Sequence, residues 1–168
     1  MTSRLRFEAP IERFKIVLVE PEIPQNTGNI ARLVAATRSS LHLVGKLGFQ
    51  IDEQAVRRAG LDYWHLVDVT HHASWDLFQK RAPRCIGFSA HATTSYLDFA
   101  FRPGDALVFG KESAGLDPAL VSVLEPHVLG IPTVENTVRS LNLANAVSIA
   151  LYEALRQVGA LTSPRAGA

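Results

Sequence analysis

The amino-acid sequence predicts an α/β domain built on a mostly parallel sheet flanked by helices. Short apolar runs rich in β-branched residues alternate with segments of helical periodicity along the chain. This alternation favours parallel strands joined by helical crossovers. Several runs are almost continuously hydrophobic, which is typical of strands that are covered on both faces. At 168 residues the chain suits one domain, which we place at residues 1–160, with 161–168 as a frayed tail.

The predicted elements alternate in order along the chain. The strands are Lys15–Val19, His42–Val44, His65–Val69, Cys85–Phe88, Ala106–Phe109 and Val128–Ile131. The helices begin near Thr27, Asp52, Ser74, Pro118 and Ser140. The last helix has the clearest pattern, because apolar residues recur at helical spacing from Leu143 to Val158 and Gly159 supplies a stop. Its apolar stripe is either core or half of a dimer interface.

Composition excludes several classes of protein. A net charge of +1 does not describe a protein that coats nucleic acid through bulk charge. The single cysteine, Cys85, excludes an intramolecular disulfide and a cysteine metal cage, and we expect no metal. Residues 1–15 contain no apolar stretch long enough for a signal peptide or a membrane span. We therefore expect a cytoplasmic protein without a membrane partner.

The loop that follows the first strand, Glu20–Arg32, is one of three unusual loops. Ligands of open α/β sheets bind beyond the carboxyl ends of the strands, where these loops lie. Residues 26–28 (Asn-Thr-Gly) open a helix whose free amides could face an anion, and Arg32 lies about one turn further on. A helix cap with a solvated arginine explains the same residues equally well.

The second unusual loop is Gly110–Leu116. Gly110 and Gly115 flank charged residues directly after a predicted buried strand, so the backbone can approach a ligand closely. The spacing is not that of a phosphate-binding P-loop. A plain strand-to-helix turn explains the loop nearly as well.

The third unusual loop leads into the last helix. The hydroxyl of Ser140 can cap that helix. Asn142 and Asn145 fall on one side of the first turn, and two amides there favour a polar ligand or a subunit contact.

A fourth segment combines cations with aromatic residues. Arg57 and Arg58 precede Tyr63, a pattern that can contact phosphate and stack on a base. A solvated helix end with core aromatics is an equally good interpretation.

Together these segments resemble the signature motifs of the SPOUT methyltransferases and, more narrowly, of the bacterial tRNA (cytidine(34)-2′-O)-methyltransferase branch. The similarity runs from about Phe14 to Gly159. Its strongest parts are Pro21–Arg32 and Arg139–Ala146, and Arg57–Tyr63 also fits. Two departures bear on RNA specificity: Ala114 stands where the branch tends to carry a basic residue, and the connector Thr133–Val138 is slightly long.

The resemblance implies a SPOUT-type fold with a C-terminal trefoil knot, a homodimer and S-adenosylmethionine as methyl donor. The implied donor-binding residues are Phe88, Gly110, Glu112, Gly115, Ile131, Ser140 and Leu141. The implied catalytic residues are Arg32, Glu112, Ser140 and Asn142, with Arg32 facing the reacting ribose. The RNA-binding candidates are Arg57, Arg58, Tyr63, Lys111 and Arg139.

The expected reaction is methylation of a ribose 2′-hydroxyl in RNA, and the favoured target is the wobble nucleotide 34 of tRNA. One alternative keeps the chemistry and changes the target to ribosomal RNA or another tRNA position. The other is a non-catalytic RNA-binding dimer of the same fold. The joint presence of the four implied catalytic residues favours an enzyme.

Overall fold

Seven parallel strands form one sheet in the computed structural model, which describes residues 6–49, 64–80 and 84–161. The strands are β1 (Lys15–Val19), β2 (Ser40–Val44), β3 (Asp68–His72), β4 (Cys85–Phe88), β5 (Thr94–Ser95), β6 (Ala106–Phe109) and β7 (Val128–Gly130). The helices are α1 (Pro24–Thr37), α2 (Trp75–Gln79), α3 (Pro118–Leu124) and α4 (Leu143–Gln157). Single 3-10 turns cover Trp64–Leu66 and Tyr96–Asp98.

The strand order is β3-β2-β1-β6-β4-β7-β5. After β1 the chain continues to β2 and β3, which lie on one side of β1. After β6, which pairs with the other side of β1, the chain continues to β7, further out on that side. The boundary between β1 and β6 is therefore a topological switch point, where the loops that leave the two strands diverge and open a crevice.

Of the helices in the described residues, two lie on each face of the sheet. On one face, α1 and α4 pack against each other and against a large core that includes Ile16, Leu18 and Leu107. On the other face, α2 and α3 cover a smaller core around Val17 and Val108. Among the described helices none has the length and apolar character that crossing a bilayer requires.

The predicted α/β class, with a parallel sheet flanked by helices, is confirmed. Three strands match at both ends: Lys15–Val19, Cys85–Phe88 and Ala106–Phe109. The strand predicted at His65–Val69 is wrong, because the edge strand is β3 and its pairing with β2 places Asp68 opposite Ser40. Two further predicted strands differ at one end: β2 starts at Ser40 instead of His42, and β7 ends at Gly130 instead of Ile131. The two-residue β5 was not predicted.

The predicted helix starts at Ser74 and Pro118 are confirmed to within a residue. The first helix begins at Pro24, three residues before Thr27, because proline fits the first helical turn. The start predicted at Ser140 is wrong, since Asn142 is the N-cap of α4 and its Oδ1 accepts the Ala144 N–H at 2.9 Å. The helix predicted near Asp52 lies outside the described residues.

Candidate functional site

The loops that follow β1 and β6 meet at the switch point through the carboxylate of Glu112. The two segments, here the β1 loop (Glu20–Ile23) and the β6 loop (Gly110–Leu116), are about 90 residues apart in sequence. Glu112 Oε2 accepts the backbone N–H of Glu22 at 2.8 Å, and Oε1 accepts that of Ile23 at 3.2 Å. Because Ile23 is the N-cap of α1 and makes no side-chain cap bond, Glu112 supplies the negative group at this helix start from a distant loop.

Asn26 connects this contact to the start of the last helix. Its Nδ2 donates to Glu112 Oε1 at 3.1 Å, and its Oδ1 accepts from Asn142 Nδ2 at 3.0 Å. Asn26 is 5% exposed, and both bonds are partly buried. The chain Glu112–Asn26–Asn142, which we call the edge network, brings all three unusual loops to one place. It also sets the first turns of α1 and α4 side by side, with both positive helix ends directed at the same edge.

Further contacts join the β1 and β6 loops around this network. Lys111 Nζ forms an ion pair with Glu20 at 2.8 Å, and this contact raises the pKa of Lys111. Glu22 accepts both the N–H and the Oγ–H of Ser113 at 2.9 Å, and these bonds lower the pKa of the Glu22 carboxyl. Lys111, a predicted RNA contact, is thus already engaged by an acidic side chain.

The β6 loop folds back on itself around its two glycines. Gly115 donates its N–H to Lys111 O at 2.8 Å, which closes the turn. A Cβ at Gly110 would overlap the backbone of Gly115 and Leu116. Gly115 has a φ of +72°, which favours glycine, yet a Cβ there would meet no heavy atom within 4 Å among the described residues other than its chain neighbours. Gly110 therefore permits loop closure, while Gly115 leaves open space beside the loop.

The predicted donor-binding residues from other strands lie at the same edge. Phe88, the last residue of β4, pairs in register with Phe109 and with Leu129, and its ring stacks on Phe109 with centroids 4.8 Å apart. Ile131 and Leu141, at the two ends of the connector between β7 and α4, are half-buried. The edge therefore combines apolar side chains with the polar edge network.

The remaining predicted site residues are distributed differently. Arg32 lies on the exposed side of α1, about 120° around the helix from the buried Asn26. Arg139 and Ser140 are exposed in the connector. Arg57, Arg58 and Tyr63 lie outside the described residues. Within the described ranges, no three His, Cys, Asp or Glu side chains come together in a way that could hold a metal ion.

Three residues of the site were missed by sequence reasoning: Glu20, Glu22 and Asn26. Glu20 and Glu22 lie in the first unusual loop, but no local pattern indicated their roles, because their partners Lys111 and Ser113 are 91 residues away. Asn26 had a usable signal, since an amide next to the helix start mirrors Asn142 at the start of the last helix.

Comparison with known proteins decides the family. The profile of the SpoU rRNA Methylase family matches residues 13–152. The chain belongs to the SpoU methylase family. The resemblance inferred from the motifs is thereby confirmed.

Relatives of this SpoU methylase agree over nearly its whole length. A tRNA (cytidine(34)-2'-O)-methyltransferase of Acidovorax sp. is 47% identical over 156 residues, which cover 90% of this chain and 96% of the relative. A solved structure from work on the 2-OH methylation of C/U34 on tRNA is 44% identical, with a TM-score of 0.79 over 88% of this chain and 97% of that chain. The SpoU methyltransferase AviRb from Streptomyces viridochromogenes, in complex with the cofactor AdoMet, is 26% identical, with a TM-score of 0.75 over 88% of this chain and 61% of that chain.

Proposed function

We propose that this SpoU methylase transfers a methyl group from S-adenosylmethionine to the ribose 2′-hydroxyl of nucleotide 34 in tRNA. The observation that carries the proposal is the edge network, in which Asn26 joins Glu112 to Asn142 at the switch point. Relatives that match most of the chain are named for this reaction. The chain is accordingly a tRNA (cytidine(34)-2′-O)-methyltransferase.

The residues at the edge fit the methyl donor. Thr27 is 2% exposed, and its Oγ1 is a buried hydroxyl that has no hydrogen-bond partner among the described residues, next to Asn26 at the start of α1. The half-buried Ile131 and Leu141 and the open space at Gly115 suit a ligand with apolar and polar parts. The residues that would hold the donor are Phe88, Gly110, Glu112, Gly115, Ile131, Ser140 and Leu141. When bound, the donor supplies a methyl group already activated on a sulfonium.

Glu112 acts as an organiser of this site. Its two carboxylate oxygens already accept three N–H groups, from Glu22, Ile23 and Asn26. A carboxylate engaged in this way holds its neighbours in place through charge-assisted hydrogen bonds. Glu112 therefore aligns the β6 loop with α1, and Asn142 links the same unit to α4.

Arg32 faces the RNA in this proposal. Its guanidinium stays protonated, so it is a poor general base. Its position on the exposed side of α1 suits a bidentate contact with the phosphate of the target nucleotide and stabilisation of the charge that develops on the 2′ oxygen. The phosphate or a water assists removal of the proton. RNA is the required substrate because DNA lacks the 2′-hydroxyl.

The proposal includes a homodimer, and two observations support it. Ile149 and Tyr152 are 37% and 43% exposed on α4, the helix that packs beside α1 on the same face of the sheet. With a net charge of +1, one subunit offers few phosphate contacts, so RNA binding across two subunits is favoured. The resemblance adds a trefoil knot in the C-terminal part, and we also propose a single domain over residues 1–160 and a cytoplasmic location. The proposed RNA contacts are Arg57, Arg58, Tyr63, Lys111 and Arg139.

Methylation of total bacterial RNA with a labelled donor, followed by mapping of the modified nucleotide, tests the proposed function. We expect label in tRNA, on the ribose of nucleotide 34, and none in the Arg32→Ala variant. Label in ribosomal RNA or at another tRNA position would keep the chemistry and replace the target. Label on a base would contradict the reaction, and RNA binding without any label would favour the non-catalytic dimer.

A further inference from the structure

The β1 and β6 loops each contain a glutamate whose carboxylate accepts hydrogen bonds from the other loop. Glu112 of the β6 loop accepts the backbone N–H groups of Glu22 and Ile23. Glu22 of the β1 loop in turn accepts the N–H and the hydroxyl of Ser113, each at 2.9 Å. Residues 22–23 and 112–113 thus form a closed ring of hydrogen bonds. Only the Glu112 half of this ring belongs to the predicted site.

Within the described part of the chain, the outer half of the β6 loop makes few other hydrogen bonds to the rest of the protein. Ser113, Ala114 and Gly115 are exposed, and burial resumes only at Leu116. The turn is closed internally by the Gly115 N–H to Lys111 O bond, which does not attach it to the rest of the protein. The Lys111–Glu20 ion pair is substantially exposed on both sides, and such pairs contribute little. The position of this half of the loop therefore depends on Glu22.

The chemistry of the Glu22 contact suits this role. A carboxylate that accepts two donors from one residue fixes direction as well as distance, and charge-assisted bonds are stronger than neutral ones. The two Ser113 bonds lower the pKa of Glu22, so the carboxylate is ionised throughout the neutral range.

We propose that Glu22 is a positioning residue that holds the β6 loop, through Ser113, in the shape that binds the methyl donor. The inference rests on the proposed function, because it takes Gly110, Glu112 and Gly115 as part of the donor site. A loop that spends only part of its time in the binding shape lowers the apparent affinity by that fraction. Loss of the anchor therefore weakens donor binding, while the strands and helices of both cores remain intact.

A double-mutant cycle tests the inference on the full-length protein. Glu22→Ala, Ser113→Ala and the double variant are compared with the parent in donor affinity, measured by isothermal titration calorimetry with S-adenosylmethionine. We expect Glu22→Ala to raise the donor Kd about tenfold and Ser113→Ala, which keeps its N–H, about threefold. The double variant should resemble Glu22→Ala alone, because both changes remove the same contact.

Two further variants make the cycle specific. Ser113→Thr keeps both donors and should restore parental affinity, and Glu8→Gln, a change at an exposed glutamate ahead of β1, should leave it unchanged. Steady-state assays should show the KM for the donor rising with its Kd, while kcat at saturating donor stays within about twofold. The urea midpoint of the ligand-free protein is recorded for every variant.

The outcomes separate the inference from the proposed function. If Glu22→Ala lowers the urea midpoint but binds the donor with parental affinity, Glu22 is only structural and the inference is overturned, while methylation by the parent stands. If the effects of the two substitutions simply add, the contact with Ser113 is not the cause and the inference is overturned as well. If the parent itself binds no donor, the inference and the proposed function fall together.

Discussion

Two clusters of polar side chains, on different parts of the same sheet, differ in the charge that their side chains carry. At the carboxyl edge, ionised carboxylates are matched by N–H donors, as in the edge network and the Glu22–Ser113 contact. Beneath α2, the side chains are imidazoles: His42 Nδ1 lies 3.0 Å from His72 Nε2. The edge therefore contains charged groups, whereas His42 in the histidine cluster is neutral near pH 7.

The surroundings of His42 explain the difference. The rings of His72 and Phe78 lie 5.2 Å and 5.4 Å from its ring, and Ser40 Oγ contacts its Nε2 at 3.0 Å. Burial, and then the nearby charges of His72 and Lys15, lower the pKa of His42 to about 4, with Asp68 opposing. A hydrogen bond between two imidazoles also needs an unprotonated nitrogen as acceptor. The fold thus places charge where backbone amides converge and keeps the buried imidazole of His42 neutral beneath α2.

The largest effect is expected for a substitution at the carboxyl edge that leaves the histidine cluster unchanged. Gly110→Ala adds one methyl group that must overlap the backbone of Gly115 and Leu116, so the β6 loop cannot close. We expect donor binding to be lost, together with about 2–4 kcal/mol of the free energy of unfolding. Calorimetry with the donor and urea unfolding measure the two effects.

Gly115→Ala is the matched control, because the same methyl group enters open space. Its only penalty is the positive φ of 72°, which costs about 1 kcal/mol. The free energy of unfolding should therefore fall less than in Gly110→Ala, and this is the quantity that the two variants compare, because Gly115 itself belongs to the proposed donor site. An equal loss of stability in the two variants would show that overlap with the loop backbone is not what Gly110 avoids.

The smaller effect concerns the histidine cluster and depends on pH. In the unfolded chain His42 gains a proton near pH 6.5, whereas in the folded protein its pKa is about 4. Between these values the unfolded state binds more protons, so His42 lowers stability as the pH falls from about 6.5 towards 4. We expect a loss of roughly 1–2 kcal/mol, allowing for partial solvent screening.

Urea unfolding at pH 7 and pH 4.5 checks this contribution. His42→Gln should show a smaller loss of stability between the two pH values than the parent, although it is less stable at pH 7 because its contact with His72 changes. His91→Gln, at an exposed histidine, should retain the parental pH dependence. A parental pH dependence in His42→Gln would instead assign the acid sensitivity to other groups.

The elements that could be predicted from the sequence are those decided by local pattern. Ala106–Phe109 and Cys85–Phe88 match at both ends because continuous apolar runs mark central strands. The edge strand β3 was misplaced because most of it is exposed, so its limits depend on pairing with β2 rather than on hydrophobicity. The start of α4 was misplaced because Ser140 and Asn142 are both good caps, and only the contact with Asn26 favours Asn142.

In the candidate site, too, the features decided by local pattern were predicted and the long-range contacts were not. The loops that form it were recognised from composition and from the family resemblance. The bonds within it join residues about 90 positions apart, such as Glu112 with Glu22 and Lys111 with Glu20, and no local pattern encodes them. The ion pair between Lys111 and Glu20 was therefore not predicted, while the role of Lys111 as an RNA contact stays a prediction.

In the proposed function, methyl transfer takes place at the carboxyl edge of the sheet, with Arg32 facing the ribose. The most direct test is the single-turnover rate of methyl transfer at saturating donor and tRNA. We expect Arg32→Lys to keep the fold and donor binding but to lose much of the rate, because an ammonium cannot reproduce a bidentate contact, and Arg32→Ala to lose nearly all of it. Arg38→Lys, at the exposed arginine that ends the same helix, should react at the parental rate. A parental rate in Arg32→Ala would contradict the claim and require another residue to face the ribose.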